Sequence, residues 1–477
     1  MSALIIEAIP NKPHLEISGE IALDYKLKNK KFDYAWIGSN LDWTDWQEPK
    51  ILGFFGIKIE NRVNKFLNFL KDKKINILKT NEISQKTLNK IENWANKFNG
   101  NLNDLYKFSY KGHALGTGVA SSLISHLKDD SFNTFENKTK IKKLLVSSAI
   151  IFERCNEILK NKKYKTLITF NGRFATCYPI ILLAQRYNIK ILRHERGANI
   201  KKYELFHKNI HDYTYVRERI KFYWRKRSKN YWNICNSYFL DRYKGNPIEY
   251  ERGYSYRKHQ KENYINYKKI NNEKLIIFYT AQDYENAAIN NDRNQEIYFK
   301  KFLKIALEEK NTKIIIRVHP VRDNANDTAT RKWSRYASKR VVVIGAKDKT
   351  DSYKLMEIGD IIVTYSSNMI VEAAYWGKLS ISLSENMRYT DCKSIITVKK
   401  FSQIKKILSI KNFKAKKKEN CFPLAYYLQM YGINYKFYKP ENHFNGKILG
   451  INFEWKPKIL TNIEKIFPIF KKYIINF

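Results

Sequence analysis

Residues Lys313–Pro320 read KIIIRVHP, and residues Ser352–Lys378 read SYKLMEIGDIIVTYSSNMIVEAAYWGK. These two stretches decide the fold. KIIIRV is a short apolar strand that stops at His319-Pro320. Asp360–Thr364 is a second strand, and Asn368–Trp376 after it has the period of a helix. Leu379–Leu383 is a strand again. Strands alternating with helices at this spacing predict a parallel sheet with right-handed crossovers. Outward from there, Leu275–Thr280 and Val341–Ile344 are further strands, and Glu296–Glu309 and Asp351–Glu357 are helices. The second half of the chain is a doubly wound α/β domain.

The first half repeats the alternation. Ala3–Ala8, Phe32–Gly38, Thr166–Phe170 and Ile189–Arg193 are strands. Ser84–Phe98, Lys138–Leu159 and Phe174–Tyr187 are helical. Tyr203–Lys269, rich in Tyr, Trp, Lys and Arg, breaks the pattern and is expected to be a helical excursion. The expected organisation is an N-terminal Rossmann-like domain over residues 1–269 with the excursion at 203–269, and a second over 270–420. Helices in 421–477 are expected to pack back on the first. Two such halves suggest a cleft with ligands at the carboxyl ends of the strands.

The chemistry concentrates at those ends. Ser366 and Ser367 stand where a strand stops and a helix starts. With Asn368 and the free N–H groups of the first turn, they suit an anion. Glu372, one turn on, suits ribose hydroxyls. Arg317, His319 and Pro320 end the neighbouring strand. Gln282 opens the acidic loop Gln282-Asp283-Tyr284-Glu285. Ser366 alone reads as a helix cap and His319 alone as a loop residue; their convergence favours a phosphate site.

The pattern RVHP followed by the Tyr-Ser-Ser stretch resembles the C-terminal half of bacterial capsule polysaccharide biosynthesis proteins, a group that includes Kdo transferases. Similar motifs occur in bacterial sialyltransferases and in teichoic-acid glycerophosphotransferases. The resemblance is good over Leu275–Leu383 and loose elsewhere. It implies a GT-B-like fold and a cytidine-nucleotide donor such as CMP-Kdo. It also implies that His319, Ser366, Ser367 and Glu372 bind the nucleotide. By the same resemblance Asp283 or Glu285 matches the nucleophile of the retaining enzymes. The expected activity is glycosyl transfer to a surface polysaccharide or glycolipid. The alternatives are a polyol-phosphate transferase using a CDP-alcohol, and a nonenzymatic basic protein binding RNA or membrane.

The acceptor is expected at the first half. Asn171 and Arg173 follow one strand, and Glu195 and Arg196 end the next. Glu195 is either a base for an acceptor hydroxyl or one side of an ion pair with Arg173 or Arg196. The loop Asn11–Glu20 after the first strand, with His14, Glu16, Gly19 and Glu20, either meets the acceptor or is an ordinary turn in which Glu20 begins the helix. Gly112–Ser122 lacks the lysine and spacing of a P-loop. No HExxH, DxD or His cluster is present, so neither a metal nor another cofactor is expected. Arg317 or Arg322 is expected to steady the leaving nucleotide.

The chain of 477 residues has 88 Lys and Arg against 46 Asp and Glu, a formal charge of +42. The excess is spread along the sequence. It fits both a general compositional drift and peripheral contact with an anionic inner membrane. No nucleic-acid motif accompanies it, and no nucleic-acid partner is expected. Met1–Pro10 reads as a strand, and no window reaches the roughly 18 apolar residues of a membrane span, so a cytoplasmic protein is expected. Five scattered cysteines without a CxxC pair point to buried thiols. Trp455–Phe477 is an apolar stripe with lysines. It is expected to be a helix crossing back to the first domain, with an interfacial anchor as the alternative.

Overall fold

A computed structural model describes residues 2–41, 59–245, 260–265, 267–270, 273–282, 295–321, 327–410, 413–442 and 445–453. The chain divides into two units. Within the described residues, the first comprises Ser2–His126, Ser131–Ile210 and Gly432–Phe453, and the second comprises Leu127–Asp130 and His211–Tyr431.

The first unit holds strands Ala3–Glu7 (β1), Phe32–Trp36 (β2), Ile77–Leu78 (β3), Thr166–Phe170 (β4), Lys190–Arg196 (β5) and Lys202–Phe206 (β6). β1 to β5 are parallel in the order β3-β2-β1-β4-β5. All five residues of β1 are buried, as a strand covered on both faces requires. The crossover direction reverses between β1 and β4, which opens a crevice at their carboxyl ends. Registers Ile5↔Ile168 and Phe170↔His194 bring the ends of β1, β4 and β5 level.

The second unit holds Lys274–Tyr279 (β7), Thr312–Arg317 (β8), Val341–Ile344 (β9), Ile361–Thr364 (β10), Leu379–Ser382 (β11) and Ile396–Thr397 (β12). Its sheet is parallel throughout, in the order β9-β8-β7-β10-β11-β12. Here the reversal lies between β7 and β10. Tyr279 pairs with both Thr364 and Arg317, so Thr280, Val318 and Tyr365 leave the sheet together. Each half therefore carries the doubly wound sheet that the alternation predicts.

The boundaries differ from the expected 269/270 and 420/421. Lys202–Phe206 is not part of an excursion. It adds to β5 as an antiparallel strand, with Glu195 opposite Glu204. Helices Tyr213–Arg225 and Tyr231–Lys244 belong to the second unit, as does Phe422–Met430, which was expected on the first. The cause is aromatic packing among the three helices. Tyr223 meets Tyr427 at 5.7 Å, Trp224 meets Tyr426 at 6.1 Å and Trp232 meets Phe422 at 5.2 Å. Only at Gly432 does the chain rejoin the first unit, where Ile433–Asn434 (β13) pairs with β6. Trp455–Phe477, and with it the expected crossing helix, lies outside the described residues. Among the described residues no helix is long and apolar enough to cross a membrane.

The returning segment is held by Glu20. Its Oε1 accepts the Lys436 N–H at 2.7 Å, and its Oε2 accepts those of Phe437 and Tyr438 at 2.9 and 2.8 Å. One buried carboxylate thus satisfies three successive backbone donors where the chain enters the short antiparallel pair Tyr438–Pro440 and Gly446–Ile448. Glu20→Ala strands these donors, at about 1–3 kcal/mol for each buried group left unpaired. Unfolding in urea is expected to lose at least about 2 kcal/mol, against under about 0.5 kcal/mol for the exposed control Glu308→Ala. Equal losses in the two variants contradict this role.

Candidate functional site

Each crossover reversal gathers a set of polar side chains. In the second unit, Thr364 ends β10, and its hydroxyl donates to the Tyr279 carbonyl at 2.8 Å. The same oxygen accepts the Ser367 N–H at 3.0 Å, and Ser367 Oγ accepts the Met369 N–H at 3.3 Å. Ser367, one residue before the N-cap Asn368, is thus tied into the turn that starts helix Met369–Tyr375. Ser366 differs, because its buried Oγ has no hydrogen-bond partner among the described residues. A buried hydroxyl without a partner costs free energy unless a ligand or water supplies one.

Facing the end of β10 across β7 is the end of β8. The His319 N–H donates to Thr280 Oγ1 at 2.9 Å. His319 Nδ1 lies 2.9 Å from the Pro320 carbonyl oxygen and 3.2 Å from Gln282 Nε2. The tautomer that donates to Pro320 leaves Nε2 as an acceptor. Burial of the ring pushes its pKa down to about 4, and the Arg317 charge adds to the drop. Ala281, two residues after β7, is held by Gln295, a residue the sequence did not reveal. Its amide donates to the Ala281 carbonyl at 2.9 Å and accepts the Ala281 N–H at 3.0 Å. Asp283, Glu285 and Arg322 lie outside the described residues.

Two expected nucleotide ligands have other work. Arg317 is 0% exposed, and its guanidinium clamps the loop after β9. It donates to the carbonyls of Gly345, Asp348 and Thr350 and to Ser352 Oγ. Burial lowers its pKa to about 10. Arg317 points along its own sheet and organises backbone, so it is not available to phosphates. Glu372 is 1% exposed; its carboxylate accepts from Tyr353 Oη and from Arg242 Nε, the latter at 3.1 Å. A carboxylate so enclosed satisfies its partners internally and is not placed for a ribose. Asn368 accepts from Arg388 Nε at 3.0 Å.

In the first unit the reversal gathers carboxylates and imidazoles. Glu195 Oε2 accepts from Asn171 Nδ2 at 2.9 Å, and Oε1 accepts the Arg196 N–H at 3.0 Å. His14 Nε2 lies 3.6 Å from the same Oε1, and both side chains are buried. The His14 ring also packs on Phe170, centroid to centroid 4.0 Å. Asn171 takes a left-handed φ of 46° just before Gly172 at 92°, which turns its amide back toward Glu195. The Oδ1 of Asn171 is buried without a hydrogen-bond partner among the described residues. Next to this set, His194 Nε2 lies 2.5 Å from Glu7 Oε1, and both residues are at most 1% exposed. Burial raises the Glu7 pKa, against the pull of His194. Glu7 escaped the sequence reading because an acid ending an apolar strand looks like a strand terminus.

The other expected acceptor residues separate. Helix His14–Leu27 begins at His14, so Gly19 and Glu20 are interior to it and not in a loop. A side chain at Gly19 would meet Phe66 at 2.9 Å; the glycine serves packing, and Glu20 holds the returning segment described above. Glu16 is paired with Arg62 in the buried interior. Arg173 donates to Ser125 Oγ at 2.9 Å and Ser121 Oγ at 3.3 Å, and its guanidinium lies over the Phe174 ring. The structure thus brings His14, Asn171, Glu195 and Arg196 together, and leaves Glu16, Gly19, Glu20 and Arg173 in packing roles. Among the described residues no group of three or more His, Cys, Asp or Glu is arranged to hold a metal ion.

No family model matches this chain, and no curated protein matches it. Solved structures resemble it in chain course. The KpsC beta Kdo 2,4 transferase of Thermosulfurimonas dismutans is 15% identical over 56% of this chain and 87% of its own, with a TM-score of 0.36. The UDP-GlcNAc 2-epimerase of Neisseria meningitidis, bound to UDP-GlcNAc, is 10% identical over 90% of this chain and 94% of its own, with a TM-score of 0.29. The glycotransferase of kitacinnamycin is 8% identical over 90% and 94%, with a TM-score of 0.24.

The pKa of His319 sets a pH dependence with a definite sign. In the unfolded chain the imidazole binds its proton near pH 6.5, whereas in the folded chain it does so only near 4. The folded state therefore holds fewer protons in this window. Its stability is full above about pH 6.5 and falls as the pH drops toward 4, by about 1 kcal/mol per pH unit at most for this half-buried group. In denaturant unfolding at pH 7, 5.5 and 4.5, the wild-type chain is expected to lose more stability than His319→Gln. Parallel losses in both contradict the assignment.

Proposed function

We propose that this protein is a glycosyltransferase that moves a sugar from a cytidine-nucleotide donor, with a CMP-sugar such as CMP-Kdo as the best candidate, onto a hydroxyl of a glycan or lipid-linked acceptor. The observation that carries the reading is the complementary chemistry of the two crossover reversals. One presents the Ser366 hydroxyl, which meets no partner among the described residues, with a neutral imidazole, His319. The other presents the buried carboxylate of Glu195 with His14. The first suits a phosphate that must be bound and released. The second suits a hydroxyl that must lose a proton.

In this reading Ser366 donates to a phosphate oxygen of the donor, while Gln282 and His319 line the same strand ends. Ser367 and Asn368 shape the turn. The acceptor hydroxyl gives its proton to Glu195, directly or through His14, as its oxygen bonds to the anomeric carbon. The bond from that carbon to the nucleotide phosphate breaks, and its electron pair leaves with the nucleotide. Asn171 on Oε2 and the Arg196 N–H on Oε1 hold Glu195 in place, and each oxygen keeps a second lone pair that can take the proton. A double displacement instead requires Asp283 or Glu285 to attack the anomeric carbon first. The cytidine base follows from the resemblance carried by His319-Pro320 and Ser366-Ser367.

Melting of the full chain with CMP, CDP, UDP and GDP tests the donor. A ligand that binds only the folded state adds about 2.7 kcal/mol at a concentration 100 times its Kd. CMP or CDP is expected to raise Tm more than UDP or GDP. Ser366→Ala should lower that nucleotide's affinity about 10- to 150-fold without lowering the Tm of the free chain. A chain that no nucleotide stabilises does not have this function.

For the proton, Glu195→Gln is expected to cut turnover by about 100-fold or more while leaving nucleotide affinity unchanged. His14→Gln should do the same to a lesser degree and shift the pH profile. Asp283→Asn and Glu285→Gln, read alongside, separate a nucleophile from a base, because only a nucleophile leaves a glycosyl adduct visible by mass spectrometry. Near-normal turnover in Glu195→Gln removes the base from this residue.

A further inference from the structure

The helices Tyr213–Arg225 and Tyr231–Lys244 bury one side against Phe422–Met430 and leave the turn that joins them exposed. Tyr215, Val216, Ile220, Cys235, Tyr238 and Phe239 are the buried side. Arg225, Lys226, Arg227 and Lys229 are all exposed at the turn. Phe222 and Trp232 flank it, each 43% exposed. From Lys221 to Trp232 the sequence KFYWRKRSKNYW has five Lys or Arg and no Asp or Glu. A net charge of +42 spread along a chain is no surface by itself. Here the fold concentrates part of it on one tip, beside Phe222 and Trp232, which stay 43% exposed although one edge of Trp232 packs on Phe422.

We propose that this turn is a docking surface for a lipid bilayer with anionic headgroups. Such a surface attracts clustered cations through its potential and takes amphipathic rings at headgroup depth. The long stems of Lys and Arg let apolar atoms sink while the charges stay at the phosphates. The ring geometry favours lipid over single-stranded nucleic acid. Bases stack on open aromatic faces, but here the faces carry cations. Lys226 Nζ lies 4.5 Å from the Phe222 centroid, and Arg227 lies 4.6 Å from that of Trp224 and 5.0 Å from that of Tyr231. Lys418 Nζ stands 5.5 Å from the centroid of Trp232. What the rings offer outward is apolar edge, and what surrounds it is positive charge. The inference is independent of which donor or acceptor the two crossover reversals bind.

Flotation of the full chain with vesicles tests it. The wild type is expected to float with phosphatidylcholine vesicles containing 30 mol% phosphatidylglycerol and not with phosphatidylcholine alone. Binding should be released by 0.5 M NaCl. Each cation at such a surface contributes about fivefold. The variant with Arg225→Gln, Lys226→Gln, Arg227→Gln and Lys229→Gln should therefore bind at least about 100-fold more weakly. Phe222→Ser with Trp232→Ser should bind about tenfold more weakly and keep its salt sensitivity. All six positions are exposed, and circular dichroism matching the wild type establishes that the variants fold. Three outcomes overturn the proposal: no flotation of the wild type with anionic vesicles, variants that partition like the wild type, or substitutions that weaken binding to a 30-mer single-stranded RNA while vesicle binding is unaffected.

Discussion

The two sheets are built of strands buried on both faces, and that constraint governs where chemistry can stand. Inside such a strand every backbone group is consumed by its neighbours and every side chain faces apolar cover. β1, β7 and β10 show this directly, with Leu4, Ile5, Ile276, Ile277 and Ile362 fully buried. A polar side chain is tolerated at the carboxyl end, where the chain leaves the ladder and a helix begins. The crossover reversal then separates two neighbouring strands' exits and leaves a crevice between them. Glu7, Asn171 and Glu195 in one unit, and Thr280, His319 and Ser366 in the other, occupy those exits.

Burial at the exits divides the polar residues into two kinds. Some meet all their obligations within the fold. Arg317 ties down three carbonyls, Glu372 is closed by Tyr353 and Arg242, and Glu20 holds three backbone N–H groups. Removing any of them would leave a buried donor, acceptor or charge unpaired, which marks them as structural. Others retain unused capacity. Ser366 Oγ and Asn171 Oδ1 are buried atoms without partners among the described residues, and such atoms are costly unless something else meets them. The distinction lies in the atom and not in the residue type: Ser367 Oγ accepts the Met369 N–H, while Ser366 Oγ beside it meets no partner among the described residues.

Much of the fold is legible in the residues. The strands KIIIRV and DIIVT and the short spacing between them are enough for a parallel doubly wound sheet, since apolar runs of that length with helices between them have few other packings. The exits of those strands, and hence Ser366, His319, Asn171 and Glu195, follow from the same pattern. The unit boundary was less legible. Tyr213–Lys244 looks like a connection because its aromatics lack a clean period, yet Tyr223, Trp224 and Trp232 find partners in Phe422–Met430, far along the chain. Lys202–Phe206 was absorbed into that stretch, although it pairs with β5.

The sequence by itself determined the alternation of strand and helix, the two doubly wound halves and the residues at the strand exits, because these depend on local period and burial. Only the tertiary structure decided which exit residues are spent. Arg317 and Glu372 read as ligands in the sequence, since an arginine and a glutamate near a strand end suit a nucleotide. Their partners, the loop Gly345–Ser352 and the pair Tyr353 and Arg242, come from elsewhere in the chain. The same holds for Glu7, which gains meaning only when β5 sets His194 beside it, two strands away across β4. Hydrogen bonds between distant segments leave no period in a sequence, and they alone settle whether a polar atom is already satisfied.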